Sequence, residues 1–158
     1  MSHVHDLLPL PTLEAAFDVA VDLGQLEDHL ATSAGWRRVV PILGGRITGS
    51  IDAEILPGGA DWQLVRPDGT IEIDSRYSAR TASGEHLLLH AKGLRTGSRE
   101  ILEQLGRGID VDPRSYYFRT TVSIETAAPE LAALQRQLFL AVAQRQADAV
   151  RYRAYRVG

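Results

Sequence analysis

"LPGGADWQLVRPDGTIEIDSRYS", Leu56 to Ser78, is the stretch that decides the fold. At its centre Pro67 presets its own φ, Asp68 tolerates a turn conformation, and Gly69 supplies the positive φ of a tight turn. ADWQLV before the turn and TIEIDSRYSART after it alternate apolar and polar residues, the period of a half-buried strand. Two such runs around a short turn predict an antiparallel hairpin. The same stretch raises the functional question. Asp61, Glu72, Asp74 and Arg76 sit inside its strands, facing either water or a polar cavity.

The pattern continues outward. ASGEH predicts a second hairpin into HLLLHAKGLRTG (86–97), so neighbouring strands form a meander. SYYFRTTVSIET (115–126) and the closing AVRYRAYRV (149–157) read as strands. In LEAAFDVAVDLG (13–24), Leu13, Ala15, Phe17, Val19 and Val21 share one face. WRRVVPIL (36–43) is strand-like, and Pro41, which cannot donate to a ladder, is expected at an edge or a strand end. GQLEDHLATSAG (24–35) is polar and Gly-bounded, a loop or helical turn. SREILEQLGRG (98–108) predicts a short helix with Ser98 as N-cap and Gly106 as stop. On helical periodicity alone, Leu131, Leu134, Leu138 and Ala141 would make 129–148 one helix.

Glycines 44, 45, 49, 58 and 59 invite a nucleotide-loop reading. A phosphate-cradling loop must open a helix, so that helix N–H groups face the phosphate. Here the chain stays extended and there is no Gly-Lys-Ser/Thr, so these glycines are read as turns, bulges and bends of a curved sheet. Many short strands with Gly/Pro turns and few helices predict an all-β antiparallel barrel or sandwich, one domain over residues 1–158, with 1–12 as a flexible arm.

Bulk composition narrows the function. A chain of 158 residues with net charge -3 lacks the basic excess of a nucleic-acid binder. With 0 cysteines there is no disulfide, thiolate nucleophile or Cys-ligated zinc. The start, MSHVHDLLPLPTLEAAF, has no basic region followed by an apolar core. No apolar run approaches the ~18 residues that span a bilayer. The expectation is an unexported protein of the cytoplasm with no membrane partner. His86 and His90 share a strand face, but four residues of strand separate them by ~13 Å, too far to share one ion. His3 and His5 lie in the arm. No metal and no cofactor are expected.

PGGADWQLVRPDGTIEIDSRY (57–77), DPRSYYFRT with IET (112–126), VRYRAYRV and RRVVPILGG together resemble the DUF3237 family, also called UPF0311. The resemblance spans about Leu7 to Val157. It implies a lipocalin-like antiparallel β-barrel, often dimeric, with some relatives acting as small-molecule enzymes. One departure is ALQR (133–136), where the family tends to carry an aromatic-Leu-Asn-Arg string; Gln135 would supply the amide there. The resemblance also favours a helical turn and then a strand over 137–144, instead of one helix.

Parity splits each strong strand into an apolar and a titratable face. Glu72, Asp74, Arg76 and Arg80 share one face, as do Tyr117, Arg119, Thr121, Ser123 and Glu125; Asp61 and Gln63 oppose Trp62 and Leu64. The charged faces are rich in Arg, the side chain suited to desolvated carboxylate pairing. The resemblance counts the same acids and arginines among its motifs. On that basis Asp74, Arg76, Arg119 and Glu125 are expected to line a wet cavity, with Asp61 at its mouth. Asp61, Asp74 or Glu125 would be the general base, and Arg76 and Arg119 would hold a carboxylate or enolate. Trp62, Glu72, His90, Tyr117 and Gln135 are the candidate ligand contacts. The resulting expectation is a homodimeric, cofactor-independent isomerase, cyclase or lyase on a small carbonyl or ring compound. The alternative is a non-catalytic lipocalin-like binding protein.

Overall fold

The turn at Pro67 to Gly69 forms as its chemistry requires. In a computed structural model that describes residues 7–158, Arg66 N–H donates to Thr70 O at 2.8 Å. Asp68 Oδ1 accepts from Thr70 N–H at 2.9 Å, and Gly69 has φ 89°. The turn joins β5 (Ala60–Val65) to β6 (Ile71–Thr81), which is followed by β7 (His86–Thr96). Before them come β1 (Leu13–Leu23), β2 (Glu27–Thr32), β3 (Gly35–Gly49) and β4 (Ala53–Ile55). After them come α1 (Arg99–Gly106), β8 (Tyr117–Thr126), β9 (Phe139–Arg145) and β10 (Ala149–Val157). His3 and His5, with the first half of the expected arm, lie outside the described residues. Thr12, at the other end of that arm, is held by Gly158 through a pair of main-chain hydrogen bonds of 3.0 and 2.8 Å.

Every pairing is antiparallel, and β1 pairs with both β10 and β3, which closes the sheet. β4 and β5 share one stave between β3 and β6, giving an eight-strand barrel with β2 as an extra flap on β3. Closure removes the free edges that an open sheet would present. The interior is filled from alternate positions: Phe17, Val19 and Val21 of β1, Ile71, Ile73, Tyr77 and Ala79 of β6, Leu87, Leu89 and Ala91 of β7, and Phe139, Ala141 and Ala143 of β9. Each large side chain among them contributes about 1.5–3 kcal/mol by leaving water.

Three local expectations change. The polar 24–35 stretch forms the β2–β3 hairpin, not a helical turn; Leu30 takes φ 61° there, and Asp28 accepts from its N–H. Pro41 lies in mid-strand, where β3 changes partner: β2 pairing reaches Val39 and β1 pairing begins at Ile42, so its missing donor leaves no gap. In β1 a bulge between Ala15 and Phe17 breaks parity, and Leu13 and Ala15 are exposed while Phe17, Val19 and Val21 stay buried. In α1 the expected bounds hold: Ser98 accepts from Ile101 N–H as the N-cap and the helix ends at Gly106, with Arg107 as the C-cap and Gly108 as the left-handed residue. Residues 129–145 follow the turn-then-strand reading, a 3-10 segment over Pro129–Arg136 leading into β9. Among the described residues no helix is long and apolar enough to cross a membrane.

Candidate functional site

Parity correctly groups the charged residues, but the barrel turns those groups outward. On β6 the apolar set Ile71, Ile73, Tyr77 faces in, so Glu72, Asp74 and Arg76 face out. Arg76 has 61% of its side chain exposed and lies 3.9 Å from Asp74. Asp74 Oδ1 is 2.6 Å from His90 Nε2 on the outer face of β7. Glu72 pairs with Arg66 at 3.1 Å. On β8 Phe118, Thr120, Val122 and Ile124 are buried, leaving Tyr117, Arg119 and Glu125 outside. The Arg119 guanidinium stacks on the Tyr117 ring at 5.1 Å. Gln135 bridges the main chain of Thr126, donating to its O and accepting from its N–H, which ties the 3-10 segment to β8. Trp62 is 41% exposed on the outer face of β5.

The physical reason is desolvation. Isolated charges are costly in a barrel interior, and the opposite faces already offer a full set of apolar side chains to fill it. Exposed ion pairs contribute little, so Arg76→Ala and Arg119→Ala are each expected to change the unfolding free energy by under ~1 kcal/mol. Urea titration checks this, and a loss of several kcal/mol would show that these arginines are structural.

The interior has its own charged group. Asp61 is 8% exposed and faces in with Gln63, deeper than the expected place at the mouth. Its Oδ2 accepts from Gln63 Nε2 at 2.8 Å and its Oδ1 from the Asp74 main-chain N–H at 2.9 Å. The β5–β6 ladder is interrupted between Ser75 and Glu72, so the carboxylate takes a hydrogen bond that a strand carbonyl would otherwise accept. Gln63 Oε1 in turn accepts from Arg38 at 3.3 Å. Two further arginines end apolar rows: Arg95 continues Leu87, Leu89, Ala91, and Arg145 continues Phe139, Ala141, Ala143. Arg95 is 4% exposed, and its guanidinium lies over the Phe118 ring at 5.3 Å. Tyr116 Oη accepts from Arg145 N–H at 2.9 Å.

These groups surround a cavity of ≈ 40 Å³ lined by Asp61, Gln63, Ser75, Arg95, Arg145 and the Tyr77–Tyr152 pair, with Ile73 and Phe118 among its apolar walls. Gln63, Arg95 and Arg145 also line a mouth of ≈ 230 Å³, together with Arg38, Leu105 and Gly108. Tyr77 and Tyr152 are buried and joined hydroxyl to hydroxyl. Burial is the main cause that pushes both phenols above their ordinary range, so both stay protonated. One hydroxyl donates to the other, and the accepting hydroxyl keeps its own O–H for another partner.

Burial also pushes the Asp61 carboxyl above the ordinary carboxylate range, and the hydrogen bonds from Gln63, Asp74 N–H and Ser75 and the charge of Arg95 pull part of the way back. Burial, followed by the like charges of Arg145 and Arg38, brings the Arg95 guanidinium down to about 10. Burial and Arg38 lower Arg145 in the same way. Among the described residues no group of three or more His, Cys, Asp or Glu side chains gathers as a metal site.

A family model described as a protein of unknown function, DUF3237, matches residues 11–157. The chain belongs to the DUF3237 family. Among DUF3237 relatives, the UPF0311 protein blr7842 of Bradyrhizobium diazoefficiens is 38% identical over 142 residues, 89% of this chain and 93% of that protein. The crystal structure of RPA1785 from Rhodopseudomonas palustris, a conserved protein of unknown function, matches with TM-score 0.89 at 34% identity, covering 96% of this chain and 99% of that one. A β-barrel-like protein from Acinetobacter baumannii AYE matches with TM-score 0.82 at 41% identity, covering 96% and 98%. The DUF3237 barrel extends to a structure described as an enzyme from Penicillium herquei, with TM-score 0.70 at 17% identity and 96% and 98% coverage, a likeness of fold alone.

Proposed function

We propose that the barrel interior carries out cofactor-independent acid/base chemistry on a small carbonyl compound, as an isomerase, cyclase or lyase, with Asp61 as the base. The observation that carries this reading is a buried carboxylate in the wall of a cavity that also presents a protonated tyrosine pair. The Asp61 oxygens accept from Gln63, Asp74 N–H and Ser75, fewer than the roughly four lone-pair sites of a carboxylate, which leaves capacity for a proton. A carboxylate raised by burial is a stronger base than one in water. Asp61 takes the proton from carbon next to the carbonyl. The free O–H of the tyrosine pair donates to the oxygen as it gains charge, so the enolate forms against a fixed donor. The proton then returns from Asp61 to another atom, or the enolate attacks or expels a group within the same molecule. Apolar walls of Ile73, Phe118 and Val21 keep bulk water from quenching the enolate.

Solvent-deuterium exchange at the α-carbon of a panel of small ketones and keto acids, followed by proton NMR, tests this reading. Exchange is expected with the wild type, and Asp61→Asn is expected to lower it about 10²–10⁴-fold. Equal exchange in both proteins would remove Asp61 from the role of base. The second reading, a binding protein without turnover, is favoured by the apolar share of the lining, as in carrier barrels; ligand binding with no exchange in any compound would select it.

The reading includes a cytoplasmic homodimer, as composition and the family resemblance imply. Tyr117, Leu140 and Val142 leave apolar surface on the outer faces of β8 and β9 for a second copy to cover. Light scattering at tens of micromolar that found a monomer would count against the dimer.

A further inference from the structure

Three guanidinium groups and one buried carboxylate gather where the barrel cavity meets its mouth. Arg38, Arg95 and Arg145 meet around Asp61, and none of the ion pairs among the described residues includes any of the three. Asp61 acts on all three through charge, joined by Asp28 at Arg38 and by Asp148 at Arg145, so Arg95 has Asp61 alone, and Asp61 is itself hydrogen-bonded to Gln63 and Asp74 N–H. The Nε of Arg95 and the Nε of Arg38 are buried and have no acceptor among the described residues. Leaving a buried charged donor without an acceptor is costly, so such a group calls for an acceptor, and an incoming ligand can supply one. Arg95 is carried by β7, and its guanidinium carbon lies over the Phe118 ring at 5.3 Å, at the boundary between cavity and mouth.

We infer that the molecule taken up by this site is a small organic carboxylate, its planar anion seated on the Arg95 guanidinium between Arg38 and Arg145 and its apolar body lying against Phe118 and Ile73. This rests on the proposed acid/base site and gives its substrate class. A planar guanidinium matches a carboxylate through two parallel N–H···O bonds. The carboxylate brings acceptors to donors that lack them. Orientation follows: with the anion at the arginines, the reacting part of the molecule lies deeper, toward Asp61 and the Tyr77–Tyr152 pair. A bare phosphate would satisfy the same donors, but it would leave the apolar walls beyond Phe118 uncovered.

Calorimetry with benzoate, benzamide and inorganic phosphate tests the inference without requiring turnover. Benzoate is expected to bind at least about tenfold more tightly than its neutral amide, and more tightly than phosphate. Arg95→Met and Arg145→Met are each expected to weaken benzoate about 10–100-fold, the value of a charge-assisted hydrogen bond. Arg76→Ala, on the outer face, is expected to leave it unchanged. Having two inner variants guards against one that fails to fold. Benzamide equal to benzoate, phosphate tighter than benzoate, or no benzoate binding at tens of millimolar would each overturn the inference. Exchange on neutral ketones with no carboxylate preference would overturn it and leave the acid/base reading intact. Benzoate binding through Arg95 with no exchange in any compound would do the reverse.

Discussion

Gly45→Ala is expected to destabilise the barrel by more than about 3 kcal/mol, a large fraction of the ~5–15 kcal/mol that holds a domain folded. Gly45 has φ 138°, a conformation that a side chain strains. An added Cβ would also meet Ala20 O at 2.0 Å and the Val21 Cα at 3.1 Å. Both are main-chain atoms of β1, and they cannot withdraw, because Ala20 is in register with Arg46 and Val21 with Gly45. This is the seam where β1 meets β3 and the sheet becomes a barrel, so the substitution acts on closure itself. A urea midpoint within experimental error of the wild type would show that the seam yields.

Arg95→Met is expected to act in the opposite direction on stability while removing function. The wild type holds a buried cation whose nearest acid is already hydrogen-bonded elsewhere. Removing a buried guanidinium that is in no ion pair and whose Nε lacks an acceptor relieves a desolvation cost of about 1–3 kcal/mol. Methionine keeps contact with the Phe118 ring through its sulfur. The stability given up by the wild type is then held in reserve for the ligand, the usual trade between a functional site and a settled core. Denaturant unfolding that found Arg95→Met several kcal/mol less stable would mean that Arg95 is a structural support, and that its charge is compensated within the fold.

The hairpins around Gly69 and Gly84 were legible because each turn has its own chemistry, and the meander follows from adjacent hairpins. The membership of each face was also legible in β5, β6 and β8, where period two runs unbroken, but not in β1, where the bulge between Ala15 and Phe17 shifts it. Which face lies inside was not. Asp74 with Arg76 and Arg119 with Glu125 share faces as parity requires, but parity is symmetric between inside and outside. Burial cost breaks the symmetry. Ile71, Ile73 and Tyr77 fill the interior cheaply, whereas four charges there would each need a partner. A signal for the true site was present: Arg95 and Arg145 each end a row of alternate apolar residues, and Arg38 has the parity of Val40 and Ile42. A charge on the apolar parity is the informative one, because the fold has no other place to turn it. Asp61 and Gln63 against Trp62 and Leu64 is the same signal in its clearest form: of the three candidate bases Asp61, Asp74 and Glu125, Asp61 is the interior carboxylate, deeper than the mouth where it was expected.

The proton-accepting role of Asp61 is open to direct measurement. Carbon-13 NMR of the side-chain carboxyls across a pH titration follows each acid separately. The Asp61 carboxyl is expected to titrate above the ~3.9 of an unperturbed aspartate, because burial outweighs the donors around it. The sign for stability follows. With the folded value above the unfolded one, the native state holds the extra proton, so this contribution is fully present below about pH 4 and is lost as pH rises through the folded value. Asp61→Asn lacks that loss, so the stability difference is expected to move in favour of the variant over the same window. An Asp61 resonance that titrates at or below ~3.9, with a stability difference independent of pH, would contradict the raised base on which the interior site depends.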